Sequence, residues 1–516
     1  MSGSALASQT GKSIAIIGGG IAGLCAGCYA QMNGYRSRIY EMDDRAGGLM
    51  TSWDRKGYTI DYCIHWLVGS SPKASMHRLW REVGLLRDRR IVDLDIWGEY
   101  ASRDGRRVVL WRDLDRLEAE LVGHAPEDAD LIRRMIGDAR RLSRSDLPSD
   151  LPPRELMKPL DGLRTLPRLL PWLMPMRHWS KVSVAQATDG LQSTLVRDAI
   201  RAFMPGEMAM FALLGTWAWL HAGVAGYPIG GSLPLARNVE ARHRELGGEL
   251  RCGARVTKIL TERTGGADRA VGVELADGTQ DRAEIVISAA DGHATIYDML
   301  GAGYLDDELR DYYERGRLPL FFPILFVGVG VAREFPDEPQ RITGLHLLAD
   351  EPIGGGAVQA RGLEIRVFNF DPSLAPQGKT VITALLRADG EHWCELRERD
   401  REAYEAEKER VGDAVVRTLD GLYPGLAGQV EMVDVATPAT TVRYTGNWRA
   451  SFEGWIPTPG NLSKGLPQRL PGLDDFYMAG QWVQPGGGLP SGVMSARQAM
   501  QLVCRRDGVK FQTTTV

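Results

Sequence analysis

No stretch of this sequence reaches the ~18 consecutive apolar residues of a membrane-spanning helix, so none is expected to cross a bilayer. Cysteine is sparse as well. Cys25, Cys28, Cys63, Cys252, Cys394 and Cys504 are scattered over 516 residues, which excludes a disulfide scaffold and suits a reducing compartment. Cys25 and Cys28 make one C-x-x-C, but they fall one turn apart on a predicted helix. Packing is their expected role, and no metal site is expected. An excess of basic charge is missing too: 62 Lys and Arg stand against 66 Asp and Glu, a formal net charge of -4. With no basic stripe to contact phosphates, nucleic acid is excluded as the main partner. The opening MSGSALASQTGK has neither the basic start nor the apolar core of a signal peptide. The expected location is cytoplasmic, with peripheral membrane contact kept open.

Glycine, by contrast, is plentiful at 60 residues, and 44% of the chain is hydrophobic, enough for a sizeable core in two or more lobes. SIAIIGGGIAGLCAGCYAQMNGYRSRIYEM (13–42) reads as strand, glycine turn, helix, a stop at Gly34 and a second strand ending at Glu41. GYPIGGSLPLARNVEARHRELGGELRCGARVTKILTE (226–262) reads as loop, a helix halted at Gly247 and Gly248, and a strand. AVGVELADGTQDRAEIVISAAD (270–291) gives two strands about an Asp277-Gly278 turn. Residues 86–225, rich in Arg, Leu, Trp and Pro, are mostly helical in period. Strand signals return in LFFPILFVGVGV, LEIRVFNF and TVITALL, and DREAYEAEKERVGDAVVRTLDGL (400–422) is an amphipathic helix. The pattern is a nucleotide-type α/β fold interrupted twice by a second lobe.

Gly18-Gly19-Gly20-Ile21-Ala22-Gly23 carries the spacing G-x-G-x-x-G between the first strand and the first helix. Gly18 permits the tight turn, Gly20 lets a pyrophosphate approach the backbone, and Gly23 lets helix and strand pack closely. The helix N-terminus at Ile21 and Ala22 offers unpaired N–H groups and a partial positive charge to the phosphates. Glu41, ending the second strand, places a carboxylate for the ribose hydroxyls. A dinucleotide is expected here. Gly354-Gly355-Gly356 lacks the spacing and context for a second such site, so a separate nicotinamide domain is not expected. Electrons should pass to oxygen, a quinone-like acceptor or another protein.

Three further motifs carry a resemblance: Arg45-Ala46-Gly47-Gly48-Leu49-Met50-Thr51-Ser52, the stretch GYTIDYCIHWL (57–67), and FYMAGQWVQPGGGLPSGVMSARQA (476–499). With the first fingerprint and GGSLPLARNVEARHRELGGELRCGARVTKI, they make the chain resemble the FAD-dependent amine oxidase and phytoene desaturase superfamily. Leu49 stands where that family carries a second arginine in R-x-G-G-R-x-x-S/T. The P-G-G-G-x-P form is similar to the phytoene desaturase, carotenoid isomerase and retinol saturase branch.

The resemblance implies an α/β fold: a Rossmann-type, glutathione reductase-like FAD-binding domain interleaved with a mixed α+β substrate-binding domain. Its expected parts are 1–85, 226–295 and 441–516 for the cofactor, 86–225 as a helical substrate or lid region, and 296–440 as the sheet-bearing substrate domain. It implies FAD contacts from Arg45, Gly47, Gly48 and Leu49, from His65 and Trp66, and from Val256. At the C-terminal end it implies contacts from Gly480, Gln481, Gly487, Gly488, Leu489 and Val493. There the glycine loop would run under the flavin ring, and the N–H groups near Gly492 and Val493 would stabilise negative charge on the reduced flavin. His65 is the candidate catalytic residue, since its unperturbed pKa of about 6.5 suits proton exchange, with packing as the plain alternative.

The expected function is FAD-dependent oxidation, reduction or isomerisation of a hydrophobic, unsaturated small molecule. An amine oxidase acting on a C–N bond is the alternative. A non-catalytic lipid carrier of the GDP-dissociation-inhibitor type is a third. LRTLPRLLPWLMPMRHW (163–179), broken by prolines, is expected either to meet a membrane or to form an ordinary helical lobe, and WAWLHAGVAGYP (217–228) to line the substrate pocket or close the core.

Overall fold

The computed structural model describes residues 11–462 and 464–516, with the side chains of 159–165 outside the description. Most of the segment on which the signal-peptide reading rests, residues 1–10, therefore lies outside the described residues. β1 (Ser13–Ile17), α1 (Ile21–Met32) and β2 (Arg36–Tyr40) form the opening strand–helix–strand unit. Gly18, at φ +94°, takes a backbone conformation that side chains disfavour, and its N–H reaches the Tyr40 carbonyl at 2.8 Å. Cys25 and Cys28 are both buried in α1. Burial raises both thiols, Cys28 to about 12, so neither is a thiolate at neutral pH and packing explains the pair.

Farther along come β3 (Ile96–Ala101), β4 (Arg107–Trp111), α2 (Pro159–Trp179), α3 (Met210–His221), α4 (Ser232–Glu245), β5 (Glu249–Arg251) and β6 (Ile285–Ser288). They are followed by β7 (Ile324–Val331), β8 (Arg341–Gly355), β9 (Val358–Val367), β10 (Thr380–Arg387), β11 (Val430–Ala436), β12 (Phe476–Met478) and α5 (Gly488–Arg506).

A five-stranded parallel sheet runs in the order β5-β2-β1-β6-β12. Three separated stretches of chain therefore build it. Ile16 lies beside Ile39 and Ile287. The strand β6, IVIS, is buried throughout, as expected of a parallel strand covered on both faces. α1 packs against α5 and α4.

A second, seven-stranded sheet runs β11-β7-β10-β9-β8-β3-β4 and is antiparallel except for the β8–β3 pair. Within 86–225, otherwise mostly helical as expected, two strands join this sheet. The hairpin β3–β4 extends the second lobe's sheet, with Val108 and Leu110 buried at alternate positions. Its pairing is non-local: the buried Arg341 guanidinium donates from Nε to Glu99 at 2.7 Å. Helical composition on either side masked a period of two.

One helix differs from expectation. α2 is one helix rather than a broken segment, although Pro167, Pro171 and Pro175 lie inside it. Their four-residue spacing puts the missing N–H donors, and the carbonyls they would have reached, in one stripe, so the rest of the ladder continues. Trp172 and Trp179, each 2% exposed, anchor it, the latter donating to Asp138 at 2.8 Å. α5 begins at Gly488 and takes Pro490 into its first turn, where a proline lacks only an N–H that has no helical partner. α3 is buried nearly all round, Trp217 to 1% exposed, and so closes the core. No described helix is long and apolar enough to cross a membrane.

Candidate cofactor and active site

A cavity of about 420 Å³ opens at the carboxyl ends of β1, β2, β6 and β12, the place where open parallel sheets receive ligands. That volume lies in the ~300–1,000 Å³ range of ligand sites. Gly18, Gly20, Ile21 and Ala22 form one part of its wall, and Glu41 with Gly47, Gly48 and Leu49 another. Val256, Gly480, Gln481, Gly488 and Leu489 also line it. The structure thus gathers residues from both ends and the middle of the chain.

The glycines do different work. A Cβ on Gly20 would meet nothing within 4 Å, so it would project into open space. One on Gly23 would stand 1.9 Å from the Gly18 carbonyl oxygen, so Gly23 is required by the contact between α1 and its own turn, behind the wall. Gly19 is equally constrained: its Cβ would lie 2.9 Å from Glu41 Oε2, and its N–H donates to that oxygen at 2.7 Å. The Asp43 N–H donates to Glu41 Oε1 at 2.9 Å. Burial raises the Glu41 pKa above the ordinary carboxylate value, and these N–H groups oppose that shift. Sequence reasoning passed over Gly19, although three consecutive glycines signal a strand-end carboxylate pressed against the turn.

The remaining candidates lie off the wall. Arg45 is exposed, Val493 is buried behind the wall, and a Cβ on Gly487 would overlap the Glu453 Cβ and carbonyl oxygen, both at 2.5 Å. His65 and Trp66 turn toward the second lobe. His65 Nε2 is 3.4 Å from Glu364 Oε1, its carbonyl accepts from Arg366 Nη2 at 3.3 Å, and Trp66 packs edge-on to Trp97 at 6.2 Å between centroids. The neighbouring Asp61 is tied to α4: its Oδ1 accepts from the Ser232 N–H at 2.8 Å, and burial pushes its carboxyl up to about 6.

Several polar residues on the wall escaped sequence reasoning, among them Arg255, Asp291, Asp298, Asn447 and Glu453. Asp291 follows β6, and its carboxylate accepts from Ala294 N at 2.8 Å and Trp448 N at 2.9 Å. A carboxylate just past a strand of a parallel sheet was a readable signal. Asn447 and Glu453 come from a segment without a motif.

Residues 21–504 match the model of the flavin-containing amine oxidoreductases, and the chain belongs to that family. It is a flavin-dependent enzyme. It is 25% identical over 504 residues to prolycopene isomerase 1 of an Oncidium hybrid cultivar, covering 94% of this chain and 83% of that one. It is likewise 25% identical over 529 residues to the neurosporene-forming phytoene desaturase of Rhodobacter capsulatus, covering 95% and 93%. Cyclohexylamine oxidase from Brevibacterium oxydans shares the fold, with a TM-score of 0.58 at 15% identity over 96% of this chain and all of that one. The cavity suits a flavin by its own construction: two glycine turns without intruding side chains, a buried carboxylate, and Ile21, Leu49, Leu489 and Phe452 as apolar surface.

Proposed function

We propose that the cofactor is FAD, held in a Rossmann-type, glutathione reductase-like domain, and that the substrate is a hydrophobic, unsaturated small molecule. When bound, the flavin supplies hydride acceptance and return at a carbon centre. Gly18, Gly20 and the N-terminus of α1 would hold the pyrophosphate, and Glu41 the ribose. The Gly47-Gly48 turn and Gly488 would leave room for the ring system. His65 would orient substrate or hold a proton, positioned by Arg366 through its carbonyl and by Glu364 through its ring. The protein's own task is to exclude water and hold an apolar chain against the cofactor.

The observation that carries the substrate class is an apolar face on α2: Leu166, Leu170, Leu173, Met174 and Met176 are 45–69% exposed. Arg154, Lys158, Arg168, Arg177 and Lys181, on the helix or next to it in sequence, are exposed too, as is Glu155. Exposed apolar side chains interspersed with a majority of cations suit the boundary of an anionic bilayer, where apolar substrates dissolve. The names of the two carotenoid-enzyme relatives agree with that class.

The test is mass spectrometry of products after the flavoprotein is incubated with long polyenes in anionic vesicles, and separately with cyclic amines. A change of two mass units, or an unchanged mass with altered retention, is expected for a polyene. Turnover of the amines alone would overturn the reading. His65→Ala should keep its flavin while slowing substrate-dependent flavin reduction about 10²-fold. Unchanged kinetics would assign His65 to packing.

A further inference from the structure

Glu453 reaches the cavity from a loop that no motif marks. Arg449 and Ala450, four and three residues before it, sit at φ +51° and +55°, a left-handed region that costs non-glycine residues of order 1–3 kcal/mol each. The surrounding bonds hold this shape. Trp448 N donates to Asp291 Oδ2 at 2.9 Å, Asn447 Nδ2 donates to the Ser451 carbonyl at 3.0 Å, and the Gly454 N–H donates to Ser451 Oγ at 3.0 Å. A loop so constrained delivers one side chain to one place.

That side chain is a carboxyl on the cavity wall. Its Oε1 lies 3.8 Å from where a Cβ on Gly488 would stand, and Gly488 is the first residue of α5. Gly487, buried against the Glu453 backbone, admits no side chain between them. No hydrogen bond to the carboxyl forms among the described residues, and burial alone pushes it up to about 7. Cys63 shares the wall, its thiol itself raised by burial, by Asp61 and by Glu453, and Glu41, Asp291, Asp298 and Arg255 line the same cavity. Burial is the cause of the Glu453 shift, so the carboxyl stands between its two protonation states near neutral pH.

We propose that Glu453 is a cofactor-facing acid that takes up a proton from solvent when the bound flavin is reduced and returns it when the flavin is reoxidised. The inference rests on the flavin occupying this cavity. Two negative charges at the N-terminus of one helix, inside a low-dielectric cavity, repel each other, and protonating Glu453 removes one of them. Reduction by two electrons then brings one proton to the flavin and a second to Glu453, over the pH range between the residue's two values. The electrons come from substrate in turnover and from dithionite in the test.

The test is the midpoint potential of the flavin-loaded full chain from pH 5.5 to 9, titrated with dithionite. For a two-electron couple each proton taken up contributes about 30 mV per pH unit. Wild type should show a steeper segment, about 60 mV per unit, beginning near or above pH 7, and Glu453→Gln should lose that added proton. Glu453→Asp, which retains an acid, should keep a steeper segment at a shifted pH. Identical profiles for wild type and Glu453→Gln would overturn the proposal and leave the flavin site standing. Should Glu453→Gln lose its flavin, the aspartate variant decides by the presence or absence of that segment. Wild-type protein that retains no flavin would overturn the cofactor site itself, and this inference with it.

Discussion

Around the cavity the chain is kept open by residues without side chains, whereas the seven-stranded lobe is held together by large ones. At the cavity end, Gly18, Gly19 and Gly23 let a turn, a carboxylate and a helix occupy nearly the same space, so one added carbon meets backbone at Gly18 and Gly23 and the buried Glu41 side chain at Gly19. In the second lobe, Trp393, Leu325 and Val411 are fully buried in a common core, and the ion pair of Arg341 with Glu99 ties two strands. Truncating one of those side chains leaves a void rather than a collision. Added carbons at the cavity glycines should therefore fail by an all-or-none steric rule, and truncations in the second lobe's core by degrees.

The largest effect expected is that of Gly23→Val. With the Cβ 1.9 Å from the Gly18 carbonyl oxygen, the opening unit cannot close, and no soluble flavoprotein should be recovered. Gly20→Val sharpens the contrast, since its side chain enters open space: circular dichroism should match wild type while the yellow colour is lost. A flavin-replete Gly20→Val protein would show that the turn is not the cofactor cradle.

Trp393→Ala probes the other region. Loss of this fully buried ring should cost about 3–5 kcal/mol, read as a lower Tm, while flavin remains bound at room temperature. Loss of flavin at wild-type Tm would break the separation of the two regions.

His243 offers a smaller, pH-dependent test. It is fully buried, its Nε2 lies 2.9 Å from Ser37 Oγ, and burial pushes its pKa down to about 4. The folded state thus holds a neutral imidazole that the unfolded chain protonates below about 6.5. The stability from this group is present above pH 6.5 and is lost as pH falls toward 4, a difference of about 3 kcal/mol. Denaturant titrations at pH 7.5 and 4.5 should show that difference shrink in His243→Gln; an unchanged pH dependence would refute it.

The smallest effect on stability belongs to Leu170→Glu with Met174→Glu, exposed at 57% and 69%. Unfolding should shift by no more than about 0.5 kcal/mol per site, while sedimentation with anionic vesicles should fall sharply. Vesicle binding equal to wild type would remove α2 as the membrane-facing surface.

What the sequence determined by itself was the construction of the cavity end. Glycines that must adopt positive φ or admit a close contact leave a local record, and so does a carboxylate at a strand end, which is why Gly18, Gly20, Gly23 and Glu41 could be read from spacing alone. The prolines of α2 and the hairpin β3–β4 misled, because a stripe of missing donors and a β pairing to residues more than two hundred positions away are properties of neighbours, not of composition. Only the tertiary structure turned His65 toward Glu364 and Arg366, pressed Gly19 onto Glu41, and brought Glu453 from an unmarked loop to the first turn of α5. Such side-chain environments arise from long-range packing, and burial rather than residue type decides whether a carboxyl there is charged.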